Sequence, residues 1–444
     1  MDEAQIQNLL RSIAISSGMV MPGTQISQND RLTAFHFLEQ FKKYDPRNGL
    51  REAQRVISVC VDLLGRSAHV HLDQGVDVTT PTKVYALSCI SDFIVTNYYG
   101  NDLSDNDRTA LRNAVRTCAK QLISMGDGPA PSGSSGGSVN NEQIQRQGSR
   151  RIIGAKISAV LANMAVRDFP QRWTTFASDI LAPSDQGGLW NTTDAEGIGA
   201  KICLECLSFI VEDCTDSDFN SKISTTRRND VLTGLNEISS YILAPIFQLL
   251  SDEYSLLLQT KQTIQEMVKY LQGQGRSLQQ MNHEERAAYI SEQSKQQHAG
   301  HVLFQALKTM EVFCHYMPLE WFTTSGYDYV AVFLHLLREP RCHIQLASLK
   351  CLDELAQRKL DLELWFRLIN SIPAAVQEAN AATATDWASD PASSSDNNNP
   401  KDKLVEQLPF FRSLSKVASQ LLYSHVAHAN DKSVVSLLLS ILFY

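Results

Sequence analysis

The residues that could do chemistry are few, and the nearest approach to a reactive site is a pair of cysteines. Cys203 and Cys206 have the two-residue spacing of a zinc-binding or redox pair. No second cysteine pair or paired histidines lie near them in the sequence to complete four ligands. Both cysteines also share the helical spacing of the apolar residues Leu207, Ile210 and Val211. We therefore interpret them as core residues, with metal binding as the alternative.

Other side chains that could react do not converge on a site. His69 and His71 are two residues apart in an expected loop at a helix end, where a metal site is a minor alternative to a solvated loop. The sequence has no P-loop and no dinucleotide-binding glycine fingerprint after a strand. These observations predict a protein that is not an enzyme, with no catalytic residues, metal or cofactor.

Composition and charge exclude further classes of protein. The chain has 444 residues with 43% hydrophobic content, enough for a large core. Its formal net charge of -8 argues against a general polyanion binder and favours a partner with a basic surface. Nine cysteines without framework spacing indicate a reducing compartment. No apolar run approaches the roughly 20 residues that span a bilayer, so no membrane insertion is expected.

Apolar residues recur with helical spacing through most of the chain. Ala53, Val56, Ile57, Cys60 and Leu64 lie on one stripe of a helix, and strand-like alternation is nearly absent. The expected helices recur as pairs about 40 residues apart, which predicts an all-α, HEAT/armadillo-like α-α superhelix, or solenoid. The predicted helical segments are 2–15, 29–43, 53–64, 82–99, 105–124, 150–166, 170–181, 226–271 (bent or split at Pro245), 300–316, 326–338, 342–357, 402–427 and 432–443.

Local composition predicts the domain organisation. Residues 126–148 are rich in Gly, Ser and Asn, and residues 378–401 are small, polar and acidic, so we expect a disordered insert and a disordered linker there. The polar residues 272–297 are expected to form a third insert or, alternatively, a solvated helix. The HEAT-repeat regions are then 1–125, 149–377 and 402–444. The last region ends on an apolar run without a polar cap, so we expect a fragment or a truncated gene model.

The most informative segment runs from residue 150 to residue 181. An amphipathic helix is expected to end at Arg167 and Asp168, and Pro170 is expected to begin the next helix. Trp173 provides a large anchor that can hold the two helices together. A well-packed helical hairpin accounts for Phe169, Pro170 and Trp173, which we interpret as a structural signature.

This signature resembles a known protein family. The run from Arg167 to Trp173 is similar to an acidic–aromatic–Pro–x–x–Trp element in the exportin-1/importin-β-like region of karyopherins. The segment from Leu32 to Pro46 resembles a helix of the first exportin repeat, and His315 to Lys359 resembles a repeat from the middle of an exportin solenoid. The resemblance covers residues 30–360 apart from the inserts. It is strongest to the N-terminal portion of the exportin-five branch of the importin-β/exportin superfamily.

The resemblance implies a nuclear export receptor, not a catalyst. In this family the N-terminal repeats bind the small GTPase Ran in its GTP form, and cargo binds cooperatively with it. The implied cargo is structured RNA, such as a hairpin or tRNA, or a protein, and nucleoporins are further implied partners. The receptor is expected to be monomeric and to shuttle between nucleus and cytoplasm. By position, the implied Ran-binding residues are Arg51, Glu52, Arg55, Asp105, Asp107, Arg108 and Arg112; ordinary solvated charges are the alternative for each.

Two other functions stay open at this stage. An importin-type import receptor would bind cargo without Ran and release it when Ran in the GTP form binds, so the sign of the coupling distinguishes the two directions of transport. A HEAT-repeat scaffold outside transport, such as a phosphatase or vesicle-coat scaffold, would show no nucleotide-dependent binding of a GTPase.

Overall fold

Helices account for all the regular structure in the described part of the chain. The computed structural model describes residues 3–19, 25–43, 49–66, 77–97, 103–125, 139–194, 197–215, 223–323, 326–339, 342–388, 410 and 412–421. Those ranges contain no β-strand, and Pro183 and Trp190 form an isolated bridge. The chain divides into two compact units, Met1–Ile238 and Ser239–Tyr444.

The first unit begins its helices at polar caps. The hydroxyl of Ser27 accepts a hydrogen bond from the Asp30 amide, and the Asp30 carboxylate accepts one from the Ser27 amide, which together form a capping box. Ser104 caps a later helix in the same way through the amide of Asp107. The helices are α1 (Glu3–Ser17), α2 (Gln28–Lys42), α3 (Gly49–Gly65), α4 (Thr79–Asn97), α5 (Asp105–Ser124), α6 (Val139–Asp168), α7 (Phe176–Ile180), α8 (Ile198–Thr215) and α9 (Thr225–Glu237), with a 3-10 turn at Ser184–Gln186.

The second unit is dominated by a long helical hairpin. Its turn is held by Arg276, whose guanidinium donates to both carboxylate oxygens of Glu285 at 3.0 and 2.7 Å. Asn282 caps the second arm through the Glu285 amide at 2.8 Å. The helices are α10 (Ser239–Gly273), α11 (His283–Tyr316), α12 (Glu320–Thr323), α13 (Tyr329–Leu336), α14 (Cys342–Ala356) and α15 (Leu362–Ala388), with a 3-10 turn at Leu278–Gln280. Residues 412–421 are also helical.

Each helix packs mainly on helices close to it in sequence. In the first unit α3 packs on α4, and α6 packs on α4 and α8. In the second unit α11 packs on α10 and α14. Packing between sequence neighbours is typical of helical repeat proteins, in which each repeat buries its apolar face against the next. The prediction of an all-α, HEAT/armadillo-like solenoid is confirmed.

Two of the predicted helical segments are wrong in detail. The segment 226–271 forms two helices. They are separated at Ile238, and Pro245 lies inside α10. Pro245 is the seventh residue of α10, where it has no amide hydrogen to donate to the Tyr241 carbonyl, so one hydrogen bond of the helix is missing there. The segment 170–181 is helical only from Phe176 to Ile180. The preceding residues form a tight turn, because the Asp168 carbonyl accepts hydrogen bonds from the amides of Arg172 and Trp173.

Parts of the expected inserts are helical. Residues 139–148 belong to α6, residues 283–297 belong to α11, and residues 378–388 belong to α15. Residues 283–297 are helical and mostly exposed, which agrees with the alternative of a solvated helix, and the insert over 272–297 stays a prediction. Residues 126–138, 389–409 and 422–444 lie outside the described residues, as does the helix expected over 432–443. The domain boundaries stay predictions.

Candidate interaction site

Three arginines on α5 form the centre of the candidate site. Arg108, Arg112 and Arg116 recur every four residues, so they share one face of the helix. That face is turned inward, and only 2% of Arg108 and 8% of Arg112 is exposed. Buried arginines require partners for their charge, because an isolated charge is costly to remove from water. We call the site the α5 corner and define it as Arg108, Arg112, Arg116, Asp168, Trp173 and Asp179.

Asp168 at the end of α6 neutralises two of these arginines. Arg108 Nη1 donates to Asp168 Oδ1 at 3.2 Å, and Arg112 Nη1 donates to Asp168 Oδ2 at 2.8 Å. The Asp168 side chain is fully buried. Charge-assisted hydrogen bonds of this kind are directional, so one carboxylate holding two guanidinium groups fixes how α5 lies against the end of α6.

Trp173 continues the corner toward α7. The guanidinium carbon of Arg112 lies 5.2 Å from the centroid of the buried Trp173 ring, within the range of a cation–π contact. The indole N–H donates to Asp179 Oδ2 at 2.7 Å, and Arg116 Nη2 pairs with Asp179 Oδ1 at 2.8 Å. Trp173 therefore connects the buried cluster to a second, partly exposed ion pair.

Helix α9 closes the other side of the turn at Phe169 and Pro170, which are joined by a cis peptide bond. A Cβ atom added to Gly234 would lie 2.8 Å from Phe169 Cε1 and 3.0 Å from Pro170 Cγ. The Arg227 guanidinium donates to the carbonyl of Phe169 and, at 2.9 Å, to the carbonyl of Val166. Only glycine leaves room for this approach, so α9 and the turn pack in direct contact.

The structure separates the implied Ran-binding residues into two groups. Arg55, Asp105 and Asp107 are exposed. Arg108 and Arg112 are instead buried against Asp168, so the alternative that these two arginines are solvated charges is wrong, and their role in Ran binding stays a prediction. The side chains of two further candidates on α3 lie outside the described residues: Arg51 and Glu52.

Sequence reasoning missed the acidic half of the corner. Asp168 and Asp179 lie more than fifty residues from the arginines they bind, and no local pattern pairs them. The available signal was the four-residue spacing of the arginines, which places them on one face of α5 but does not indicate whether that face is buried. Arg172 was also missed as a surface residue; its side chain is half exposed, and its Nε lies 3.9 Å from Asp105 Oδ1.

The remaining chemistry of the described residues is that of a core. Cys203 and Cys206 are both fully buried, and burial raises the pKa of each thiol. The Cys203 thiol donates to the carbonyl of Ile180 at 3.1 Å, which matches the interpretation of the pair as core residues. The described ranges contain no group of three or more His, Cys, Asp or Glu side chains placed to hold a metal ion. His69 and His71 lie outside the described residues.

The contacts of the α5 corner hold α5 against the end of α6 and against α7. The corner contains no nucleophile held by a general base, and its polar groups are engaged with one another.

None of the helices in the described ranges is both long enough and apolar enough to span a bilayer.

Comparison with known proteins gives one family match. Residues 150–352, just under half of the chain, match the family model described as "Exportin 1-like protein". No curated protein matches the chain. A solved structure described as an engineered protein of the Northeast Structural Genomics Consortium is similar over 98% of each chain, at 13% sequence identity and a TM-score of 0.22. Because the TM-score is this low, the similarity does not support a conclusion about the fold. The matched segment includes the turn at Phe169 and Pro170 beside the α5 corner, so this part of the chain is similar to exportin-1-like proteins.

Proposed function

We propose that the protein is a nuclear export receptor that binds Ran in its GTP form and cargo cooperatively. The observation that carries the proposal is the exportin-1-like match over residues 150–352. The all-helical repeat fold supports it, because such folds offer extended surfaces for macromolecular partners. The resemblance to the exportin-five branch is the finer part of the proposal.

The proposed Ran-facing surface is the exposed rim of the α5 corner, which we define as Asp105 and Arg172. Asp105 is the most exposed of its charges, with 82% of the side chain accessible, and it lies next to Arg172. Asp107 and Arg55 are further exposed candidates on the first unit. Arg108 and Arg112 act beneath this surface by holding α5 in place. Arg51 and Glu52 stay candidates on α3.

The proposed cargo is structured RNA or protein. A duplex RNA would be held through its phosphates and 2′-hydroxyl groups, by shape more than by sequence. The net charge of -8 requires any such contact to use a local basic surface, while a basic protein cargo would suit the chain as a whole. Contact with nucleoporins, shuttling between nucleus and cytoplasm, and a monomeric state complete the proposal.

The decisive test is nucleotide-dependent binding to Ran. The full chain is titrated with Ran loaded with a non-hydrolysable GTP analogue or with GDP, each with and without a short RNA hairpin. We expect binding to the GTP form only, and tighter binding when the hairpin is present, because cooperative partners raise each other's affinity equally. Weaker GTP-form binding in the presence of cargo would indicate an import receptor. Equal affinity for the two nucleotide forms would reject a transport receptor in favour of a scaffold.

A charge reversal tests the proposed surface. Asp105→Lys should weaken binding of the GTP form about tenfold, since the exposed carboxylate is replaced by a like charge for a basic partner. Glu266→Lys makes the same change at an exposed carboxylate on α10 in the second unit and serves as the matched control. Equal affinities of the two variants would remove the α5 corner from the Ran-binding surface.

A further inference from the structure

Helix α6 carries a local concentration of positive charge. Residues 147–167 include four basic residues and no Asp or Glu, although the whole chain has a formal net charge of -8. Two of the four are engaged inside the unit, because Arg150 and Arg167 each donate to a backbone carbonyl, at 3.2 and 2.9 Å. The other two, Arg151 and Lys156, are exposed. Positive charge is therefore presented to solvent on this helix.

The two exposed cations flank an apolar strip. Ile152 is 54% exposed, and Ala155 is also exposed. Consecutive residues of an α-helix are rotated by about 100°, so Ile152 and Ala155 lie between Arg151 and Lys156, which are about 140° apart around the axis. We call these four residues the α6 face. It presents an apolar centre with a positive charge on each side.

The carboxylates of α4 and of the first half of α8, the two helices that pack on α6, are engaged elsewhere. On α8, Glu205 lies 3.6 Å from Lys201. On α4, Asp92 lies 3.7 Å from Lys42. Among the described residues, neither cation of the α6 face has an ion pair or a side-chain hydrogen bond. Both charges are therefore available to a partner.

We propose that the α6 face is a docking surface for an acidic, amphipathic helix of a partner protein. An apolar side chain of that helix packs on Ile152, and carboxylates on either side of it pair with Arg151 and Lys156. Helices with one apolar face commonly bind other proteins in this way, and complementary charges fix the choice of partner. Small residues leave room for the approach: Ala155 carries only a methyl group, and a Cβ atom on Gly148, one turn before Ile152, would have no neighbour within 4 Å.

The composition of the α6 face favours an acidic helix over a nucleic acid. An exposed isoleucine has no matching group on a phosphate backbone, and two cations are few for a surface that must neutralise several phosphates. An acidic amphipathic helix supplies both an apolar contact and two carboxylates. The surface is also distinct from the rim of the α5 corner, where Asp105 is proposed to meet a basic partner. The inference therefore does not depend on the proposed transport function.

The test uses a defined peptide as the probe. A fluorescein-labelled peptide made of two repeats of Glu-Leu-Leu-Glu-Ala-Leu-Glu is titrated with the full chain and followed by fluorescence anisotropy. A peptide of the same composition, scrambled so that its leucines do not form one helical stripe, should bind about fivefold more weakly, because its charge is unchanged but its apolar face is lost. A short RNA duplex should not displace the ordered peptide.

Charge reversal tests the surface itself. Arg151→Glu combined with Lys156→Glu should weaken binding of the peptide about tenfold, because each cation becomes a like charge for the probe. Lys43→Glu combined with Lys269→Glu makes the same change of net charge at exposed lysines outside α6 and is the matched control. Ile152→Ser should weaken binding about fivefold through the lost apolar contact.

Circular dichroism of each variant checks that the chain is folded before affinities are compared. Equal affinities of the two charge-reversed variants would overturn the proposal, as would equal binding of the ordered and scrambled peptides. Displacement of the peptide by the RNA duplex would also overturn it and would indicate a nucleic-acid surface.

Discussion

Removal of the charge of Asp168 should strongly destabilise the first unit. Asp168→Asn keeps the size of the side chain but leaves Arg108 and Arg112 without their shared counter-ion. Both arginines are almost fully buried, and they bind the two carboxylate oxygens at 3.2 and 2.8 Å. An amide presents one acceptor oxygen in place of two and directs N–H donors at one of the two cations.

The magnitude follows from the cost of an unpaired buried charge. Removing one partner of a buried ion pair costs about 3–5 kcal/mol. Arg108 keeps a hydrogen bond to the Leu103 carbonyl, and Arg112 keeps one to the Thr109 hydroxyl at 2.8 Å. These residual partners place the expected loss near the lower limit, about 3 kcal/mol. For a unit of this size, that loss lowers the unfolding midpoint by roughly 6–12 °C.

The assay is thermal and urea unfolding of the full chain, followed by circular dichroism. Asp105→Asn is the matched control: the same change at a carboxylate with 82% exposure and a partner at 3.9 Å should cost less than about 1 kcal/mol. Replacing Arg108, Arg112 and Asp168 together by Met, Met and Leu should recover most of the stability, because no buried charge is left. A loss for Asp168→Asn as small as that of the control would refute the account of the corner.

Three other positions give expectations for stability: Gly234, Gly148 and Glu253. Gly234→Ala should lower the free energy of unfolding by about 1–3 kcal/mol, because its Cβ would lie 2.8 Å from Phe169. Gly148→Ala on the open face of α6 should raise it by about 0.5–1 kcal/mol, because alanine favours the helix. Urea unfolding of both variants tests this difference, and equal effects would contradict the close approach of α9. Burial raises the pKa of Glu253 on α10 to about 7, and its Oε2 has no hydrogen-bond partner among the described residues. Because the folded state binds this proton more tightly than the unfolded state, the stabilisation is complete below about pH 4.5 and is lost as the pH rises through 7. After allowance for partial solvation the loss is about 2 kcal/mol, and Glu253→Gln should abolish it in urea titrations at pH 5 and pH 8; an unchanged pH dependence would disprove this assignment.

Patterns among neighbouring residues predicted the local features of this fold. Helix α5 begins and ends at the residues that the sequence indicated, because the cap at Ser104 and the acidic first turn are read from adjacent residues. The core role of Cys203 was predicted from helical spacing alone. The all-α class followed from the same periodicity over many segments.

Contacts between distant residues could not be predicted in this way. The spacing of Arg108 and Arg112 placed them on one face of α5, but whether that face is buried depends on Asp168, about sixty residues later. The residues from Pro170 onward form a turn in place of the expected helix. The buried Trp173 there donates a hydrogen bond to Asp179 and contacts the Arg112 guanidinium, and helix propensity takes no account of such side-chain contacts. Buried polar clusters are where such patterns fail, since their partners come from separate helices.

The α5 corner separates the charges that hold the helix from the charges a partner could bind. Asp105 and Arg108 are one turn apart on α5, yet 82% of one side chain is exposed and 3% of the other. Rotation of α5 about its axis would pull the arginines away from Asp168, so the helix is held in one orientation. This orientation fixes the backbone of α5 that carries Asp105, while the side chain of Asp105 stays exposed. Because Asp168 ends α6, within the exportin-1-like segment, a partner at the rim would act directly on the helix packing of that segment in the first unit. Under the proposed function, this carboxylate is the contact through which binding at the rim would reach the exportin-1-like segment.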